Sequence, residues 1–403
     1  MKNRFNRYLA YYLISLFFFS IIYLIKKHEI GNDSTISEWL INYSGGFTKR
    51  GIIGQTSIFF SNLLDQNLRD VILFQQILLI GFYFLLIFNF FKDLKTNRII
   101  ILSIFTPIFI LYPIAEIEVL ARKEVFIFCI FIIYLFLKKK FLQDIYKIIF
   151  LPVAILIWEP VIFYLIFFFA SDILRNNFEK IDKKFLLNLI YYSPALFVAL
   201  YIVVNPISSE NHEIMANYLK NNFNENCYMS CALLKSKSTV YSQFQGNFGK
   251  YSFEVFFRYF LIILIGFGPL MILAKNSKFI NNTLFYFKNF GNLLTPIAIM
   301  LAPVILLFAM GYDWGRWVNI SYVFSVIFYF YLYKNKLILL DEEFLNNKRF
   351  KFLKNKKAYI ILIIIFCFGW NPKTVITGDV ASKPGYQIPR KALKIIYYDY
   401  IKQ

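Results

Sequence analysis

The stretch EWLINYSGGFTKRGIIG, from Glu38 to Gly54, combines glycines and adjacent cations in a pattern suited to binding an anion. Gly45 and Gly46 allow the backbone to turn tightly and to approach a ligand closely. Lys49 and Arg50 add two positive charges that can pair with phosphate oxygens. The alternative is structural, because cations beside a membrane span often extend toward headgroups and glycines end helices. The stretch predicts either a phosphate-binding site or an interfacial turn.

Other charged residues are concentrated in three further short motifs. They are Glu116, Glu118, Arg122, Lys123 and Glu124 in PIAEIEVLARKE, Glu159 in WEP, and Asp313 and Arg316 in GYDWGRW. A carboxylate within reach of a hydroxyl can accept its proton. Arginine can grip phosphate oxygens and stabilise the charge of a departing phosphate. These residue types favour group transfer from a phosphate-bearing donor, with Lys49, Arg50, Arg122 or Arg316 holding the leaving group.

The rest of the chain predicts membrane-spanning helices as the elements that position these motifs. Of the 403 residues, 58% are hydrophobic and 21% aromatic, with a mean hydropathy of +0.54. Runs such as VILFQQILLIGFYFLLIFNFF reach the roughly 20 apolar residues that cross a bilayer. The net charge of +20 is typical of cytoplasmic loops near anionic lipid, so we do not predict nucleic-acid binding. The expected fold class is all-α and polytopic, in one membrane domain over residues 1–403.

Short loops rich in lysine and arginine place the N-terminus in the cytoplasm and predict about eleven crossings or partial crossings. Full crossings are expected over residues 8–25, 71–91, 99–112, 125–137, 185–204, 253–274, 292–310, 318–333 and 358–370. The segments expected outside are the loop 26–70, the large loop 205–251 and the C-terminal tail 371–403. Within the first of these loops, IIGQTSIFFSNLL is too short and too polar to span, so we expect an interfacial amphipathic helix.

The segment IIFLPVAILIWEPVIFYLIFFFA, residues 148–170, has the length of one span but basic residues on both flanks. Two half-length helices meeting at Trp158-Glu159-Pro160 would keep both flanks inside, since proline cannot continue the helix that it enters. Glu159 would then lie at an apex, which is tolerated only where it lines a cavity. One ordinary span with a buried glutamate is the alternative.

This scheme brings all of the charged motifs to the outer face of the membrane. No nucleotide is expected there, so a transferase would need a donor already activated on a lipid, such as a polyprenyl phosphate or pyrophosphate sugar. Four aromatic residues near the motifs could stack on sugars, but an ordinary interface belt is the preferred interpretation of each. They are Trp39, Phe47, Trp314 and Trp317.

The four cysteines and two histidines support no metal centre. Cys129 and Cys367 lie in predicted spans and are interpreted as core residues. Cys227 and Cys231, spaced CYMSC in the large outer loop, predict either a disulfide or a pair of free thiols. His212 lies in the same loop, but the three residues lack the usual spacing of a zinc site. We predict no cofactor and assign no metal ligands; a divalent metal is an alternative that these residues do not support.

The layout resembles the GT-C superfamily of membrane glycosyltransferases, and its character is similar to bacterial O-antigen and capsule polymerases. In GT-C enzymes the first outer loop carries an acidic residue and continues into interfacial helices; here it holds Asp33 and Glu38 before IIGQTSIFFSNLL. Some members have a second acidic pair in the outer loop between the third and fourth spans. Glu116 and Glu118 lie in the corresponding loop here. No Asp-x-Asp signature is present in the first loop, so Asp33 and Glu38 both stay candidates for the base.

The resemblance implies polymerisation of polyprenyl-pyrophosphate-linked oligosaccharides at the periplasmic face of a bacterial inner membrane. Glu38, Asp33 and Glu159 are the catalytic candidates. The substrate-binding candidates are Gly45, Gly46, Lys49, Arg50, Glu116, Arg122, Glu124, Asp313 and Arg316. The expected partners are a lipid-linked saccharide donor and acceptor, membrane lipid, and a chain-length regulator or flippase. The alternatives are a transferase of single sugars from a polyprenyl monophosphate, a flippase for lipid-linked sugars, and a non-catalytic assembly protein.

Overall fold

The computed structural model describes residues 2–30, 34–235, 240–280, 290–346, 351–378 and 380–402. These residues are mostly helical, as the sequence predicts. The helices of the first part of the chain are α1 (Lys2–Ile30), α2 (Ser34–Ser37), α3 (Gly51–Leu64), α4 (Leu68–Phe91), α5 (Arg98–Phe105), α6 (Tyr112–Ala115), α7 (Glu124–Phe136), α8 (Lys140–Ile157) and α9 (Leu165–Asn176). Short 3-10 helices cover Ile117–Val119 and Glu159–Tyr164.

The second part of the chain continues the helical pattern. Its helices are α10 (Lys183–Ile190), α11 (Ser193–Val204), α12 (Ser209–Phe223), α13 (Met229–Ala232), α14 (Val240–Phe248), α15 (Phe253–Lys275), α16 (Leu294–Leu301), α17 (Ile305–Met310), α18 (Trp314–Lys334), α19 (Lys351–Lys354), α20 (Lys356–Phe368) and α21 (Pro384–Ile396). Further 3-10 turns cover Leu233–Lys235, Ala302–Val304 and Glu342–Asn346, and a π-helical turn covers Tyr397–Ile401.

Two small antiparallel pairs join distant parts of the chain. Strand β1 (Ser277–Phe279) pairs with β2 (Ile338–Leu340), and Lys278 lies opposite Leu339. Strand β3 (Trp370–Asn371) pairs with β4 (Ala381–Ser382).

Four helical stretches are long and apolar enough to cross a membrane: Arg4–Glu29, Leu68–Phe91, Lys183–Val204 and Phe253–Lys275. They are compatible with a membrane protein, but the predicted count of about eleven crossings is not confirmed. Segment 99–112 is one reason, because its helix α5 ends at Phe105 after 8 residues. Thr106 precedes a proline and adopts an extended ψ of 140°. A helix of that length covers only about 12 Å.

Helix α18 lies at the centre of the bundle. Every residue from Trp314 to Leu332 is buried, including the polar ones. Contacts with α7, α9, α15 and α17 surround it. Asn319 and Tyr322 on this helix donate hydrogen bonds to backbone carbonyls of residues 103–109, which satisfies their buried polar atoms.

The helix break predicted at Trp158 is present. Helix α8 ends at Ile157, Trp158 is extended with φ −156° and ψ 97°, and a 3-10 turn begins at Glu159. Pro160 explains the break, because its ring fixes φ and it has no N–H to donate. The course of the two halves relative to a membrane stays a prediction.

The predicted amphipathic segment of the first loop forms α3. Ile53, Ser57 and Ser61 are buried on one face, whereas Phe59 and Leu63 are exposed on the other. This apolar exposed face suits an interfacial helix. The predicted loop 205–251 also contains helices, α12 to α14, and the predicted C-terminal tail contains α21.

Candidate functional site

Four separate elements bring nine charged side chains together in a single cluster. The elements are the segment between α2 and α3, the turn before α7, the break after α8, and the first turn of α18. The nine residues, here called the charge cluster, are Glu38, Lys49, Arg50, Arg122, Lys123, Glu124, Glu159, Asp313 and Arg316. All nine belong to the motifs that the sequence singled out.

Glu38 is the residue on which the arginines converge. Its side chain is fully buried, and Oε1 accepts a hydrogen bond from Arg122 Nη2. The same oxygen lies 3.7 Å from Arg50 Nη1 and 3.6 Å from Arg316 Nη2. Burial works to raise the pKa of the Glu38 carboxyl, but Arg122, Arg316 and Arg50 hold that pKa well below its usual range. Glu38 therefore stays ionised and is a weak proton acceptor.

Arg50 connects the glycine-rich loop to the helix break. Its backbone is left-handed, with φ 63°, at the start of α3. Nε and Nη2 donate to the two carboxylate oxygens of Glu159 over 2.6 and 2.9 Å. Lys49 Nζ lies 3.3 Å from Glu159 Oε1 and is more exposed than Arg50. The paired hydrogen bonds fix the guanidinium plane, which a single charge contact would not do.

Arg316 closes the other side of the charge cluster from the first turn of α18. Nε and Nη2 donate to the two oxygens of Glu124, and Nη1 lies 3.3 Å from Asp313 Oδ2. The guanidinium carbon is 5.2 Å from the Trp317 ring and 5.9 Å from the Trp158 ring. Two indoles therefore flank this arginine at cation–π distance.

Lys123 is buried in contact with the backbone of Arg50. Its Nζ donates a hydrogen bond to the Arg50 carbonyl oxygen, and the side chain is 0% exposed. Loss of hydration lowers the pKa of Lys123 to about 7; Glu38 and Glu159 oppose this shift, and the charge of Arg50 adds to it. Lys123 is therefore partly neutral near pH 7.

The lowered pKa of Lys123 predicts a specific dependence of stability on pH. Between about pH 7 and the usual lysine pKa near 10.5, the unfolded chain binds a proton that the folded chain does not. The free energy of unfolding should therefore rise with pH in this window. We expect the melting temperature of the wild type in detergent to rise by several degrees more than that of Lys123→Met between pH 7 and 9.5. Lys220→Met, on an exposed face of α12, is the control and should follow the wild type; equal slopes for Lys123→Met and wild type would contradict the assignment.

Several buried polar atoms, on members of the charge cluster or on residues next to them in the sequence, accept or donate no hydrogen bond within the described part of the chain. They are Glu38 Oε2, Thr48 Oγ1, Arg122 Nε, Trp158 Nε1 and Trp317 Nε1. Unpartnered buried polar atoms are rare because each costs about 1–3 kcal/mol. Four of these five atoms can donate a hydrogen bond. Because Lys123 is partly neutral near pH 7, the other four cations of the charge cluster face four carboxylates, and the net charge of these nine residues is close to zero. The arrangement suits a bound group rich in oxygen atoms.

Two glycines of the opening motif, Gly45 and Gly54, lie against protein backbone. A Cβ on Gly45 would be 1.9 Å from the carbonyl oxygen of Asn211 on α12, and one on Gly54 would be 2.0 Å from that of Ile41. Gly46 has φ +99°, which favours glycine. Gly45 and Gly46 therefore shape the loop that carries Lys49 and Arg50, and the close approach seen here is between parts of this chain.

Glu116 lies apart from the charge cluster and holds the segment after α20. Its carboxylate accepts hydrogen bonds from Asn371 Nδ2, Lys373 Nζ, and the backbone N–H and hydroxyl of Thr374, at 3.0–3.3 Å. Asp33 falls outside the described residues.

The loop with the two cysteines packs beside α2. Cys227 and Cys231 form a disulfide, one of the two states that the sequence left open. The backbone N–H of Ser230 donates to Ser37 Oγ over 3.0 Å, next to Glu38. His212 Nε2 is 3.4 Å from Cys227 Sγ, but sulfur atoms joined in a disulfide are not thiolate ligands. This group therefore offers no zinc site in its oxidised state.

Sequence reasoning did not assign Trp158 or Thr48 to the site. In the sequence, Trp158 marks only a helix break, and nothing distinguishes Thr48 between Phe47 and Lys49. The only signal for these two residues in the sequence is adjacency, because Thr48 precedes Lys49 and Trp158 precedes Glu159. No protein-family model matches this sequence, and no curated protein or solved structure is detectably similar to it.

Proposed function

We propose that this chain is a membrane glycosyltransferase that takes its donor sugar from a lipid-linked phosphate or pyrophosphate. Stated most specifically, the proposed activity is the polymerisation of polyprenyl-pyrophosphate-linked oligosaccharide repeats at the outer face of a bacterial inner membrane. The observation that carries the proposal is the group of unpartnered polar atoms, most of them hydrogen-bond donors, on and beside the residues of the charge cluster. Phosphate oxygens would accept hydrogen bonds from these donors.

The reaction needs an anion site and a proton acceptor. The acceptor hydroxyl oxygen forms a bond to the anomeric carbon, the bond from that carbon to the pyrophosphate oxygen breaks, and its electron pair leaves with the pyrophosphate. Arg50, Arg122 and Arg316 would stabilise this departing charge. Their geometry is already fixed by Glu38, Glu124 and Glu159, so little reorganisation accompanies the reaction.

The hydroxyl proton must pass to a group of the protein. Glu38 was a leading candidate from the sequence, but three arginines make its carboxylate a weak base. Its role in the proposal is therefore to hold Arg50, Arg122 and Arg316 together. Lys123, partly neutral near pH 7, is the better proton acceptor. A rise of activity with pH through about 7 in the wild type is the corresponding expectation.

Thr48→Val tests whether an unpartnered atom serves a ligand. The hydroxyl contacts no partner among the described residues, so its removal should leave the melting temperature unchanged or slightly raised. A lost hydrogen bond to a charged ligand is worth about 1.5–3 kcal/mol, so we expect transferase activity to fall about tenfold or more. The measurements are the melting temperature of the purified chain and the length distribution of surface polysaccharide, by gel, in a complemented deletion strain.

Thr106→Val is the matched control for this experiment. Thr106 is equally buried, but its hydroxyl donates to the Gly266 carbonyl oxygen over 3.1 Å, away from the charge cluster. It should lose about 1 kcal/mol of stability and keep its activity. Full polymer length with Thr48→Val would overturn the assignment of this atom.

The deletion strain itself separates the kinds of function. Single repeat units left on the lipid support a polymerase, and long chains lacking one sugar support a branch transferase. Substrate trapped on the cytoplasmic leaflet would instead indicate transport.

A further inference from the structure

Helix α21 is amphipathic and packs along the end of the candidate span α1. Pro384, Ile388 and Ala392 are buried at four-residue spacing, which is one face of a helix. The Tyr23 hydroxyl of α1 donates to the Ile388 carbonyl oxygen. Tyr23 lies close to the end of the stretch Arg4–Glu29, so α21 lies where a bilayer would change from hydrocarbon to headgroup.

The opposite face of α21 carries exposed apolar and basic side chains together. Between Pro384 and Lys402, the large exposed apolar and aromatic residues are Tyr386, Leu393, Tyr397, Tyr398, Tyr400 and Ile401. The same stretch has four cations and one carboxylate, Asp399, which pairs with Lys26 at 2.9 Å. Tyrosine and basic residues of this kind are enriched at the headgroup level of membranes.

A groove of roughly 430 Å³ runs along this face. It is lined by Tyr386, Pro389, Arg390, Leu393, Lys394, Tyr397 and Tyr398. Arg390 lies over the Tyr386 ring at 5.8 Å. Across the described ranges, neither Arg390 nor Lys394 forms an ion pair with a carboxylate. Two unneutralised cations therefore flank an apolar and aromatic surface.

We propose that this groove binds the headgroup of an anionic phospholipid. The phosphate would pair with Arg390 and Lys394, and the glycerol and upper acyl chain would lie on Leu393 and Tyr397. Charge complementarity selects a lipid with net negative charge, because a zwitterionic headgroup brings its own cation to the same place. The site is separate from the charge cluster and does not depend on the function proposed for it.

Native mass spectrometry of the full-length chain in neutral detergent tests this site. The probes are dioleoyl phosphatidylglycerol and, as the zwitterionic reference, dioleoyl phosphatidylcholine. We expect the wild type to bind phosphatidylglycerol more tightly. The double variant Arg390→Gln/Lys394→Gln should weaken that binding about thirtyfold, since each basic residue near an anionic lipid contributes about fivefold.

Both substituted residues are exposed, so the double variant should keep the wild-type melting temperature. Lys220→Gln/Lys235→Gln removes two exposed cations from segment 205–251 and should leave lipid binding unchanged. Equal affinity of the wild type for the two lipids would overturn the proposal, and so would unchanged phosphatidylglycerol binding by the Arg390/Lys394 variant. The proposal would also be overturned if the wild type showed no lipid preference but formed a dimer that dissociated in the Arg390/Lys394 variant. The groove would then be a protein interface.

Discussion

Replacing Glu38 with glutamine is expected to destabilise the protein by about 3–5 kcal/mol, the usual cost of removing one partner from a buried ion pair. Glu38 is 0% exposed and faces three arginines through one oxygen. Without its charge, Arg50, Arg122 and Arg316 would repel one another in a site with little water. The measurement is the melting temperature in detergent, together with the amount of folded protein recovered.

Two further variants determine whether charge is the cause. Glu213→Gln removes an exposed carboxylate that pairs with Lys235 on the surface, and it should keep the melting temperature close to that of the wild type. Adding Arg122→Gln to Glu38→Gln removes one of the repelling charges, so the double variant should recover part of the loss. A Glu38→Gln protein with wild-type stability would show that the arginines are not held by this carboxylate.

Gly45→Ala is expected to lower the free energy of unfolding by about 3 kcal/mol or more. The added methyl carbon would lie 1.9 Å from the carbonyl oxygen of Asn211 and 2.9 Å from its carbonyl carbon. Backbone atoms cannot rotate away as a side chain can, so α12 or the loop from Tyr43 to Arg50 must shift. Because that loop carries Arg50, activity should fall with stability. The readouts are the melting temperature and the polysaccharide ladder.

Gly249→Ala is the matched control, since no atom of the described residues lies within 4 Å of the added carbon. It should behave as wild type. Normal stability of Gly45→Ala would mean that α12 and the first loop are not in contact, and would return the glycine to the ligand-binding role that the sequence favoured.

Local patterns made much of the helical fold predictable. The runs that become α4 and α15 are long and apolar, and Pro160 marks the break that separates α8 from α9. The number of crossings was less predictable, because a proline such as Pro107 inside an apolar run ends a helix without lowering its hydropathy. Helix α21 was not predicted for a related reason: the segment 371–403 has three prolines, two of them within α21, although Pro384 occupies the first turn, where proline is tolerated.

The membership of the charge cluster followed from residue type and from the common side of the predicted loops. The pairing did not follow, because it depends on packing between distant segments. Arg122 meets Glu38 across 84 residues, Arg50 meets Glu159 across 109, and Arg316 meets Glu124 across 192. No local pattern distinguishes these pairs from other combinations. The same limit applies to Gly45, which the sequence makes a candidate ligand contact, since its neighbour Asn211 lies on α12, far away along the chain.

The sequence separation of the cluster has a consequence for synthesis. Glu38, Arg50, Arg122, Glu124 and Glu159 all leave the ribosome well before Arg316, whose helix lies at the centre of the bundle. Until then Glu124 lacks the guanidinium that pairs with both of its oxygens. A ribosome-bound chain that ends before α18 would hold most of the cluster without the cation that closes it. The site is therefore completed late in biogenesis, after the helices around α18 have been made.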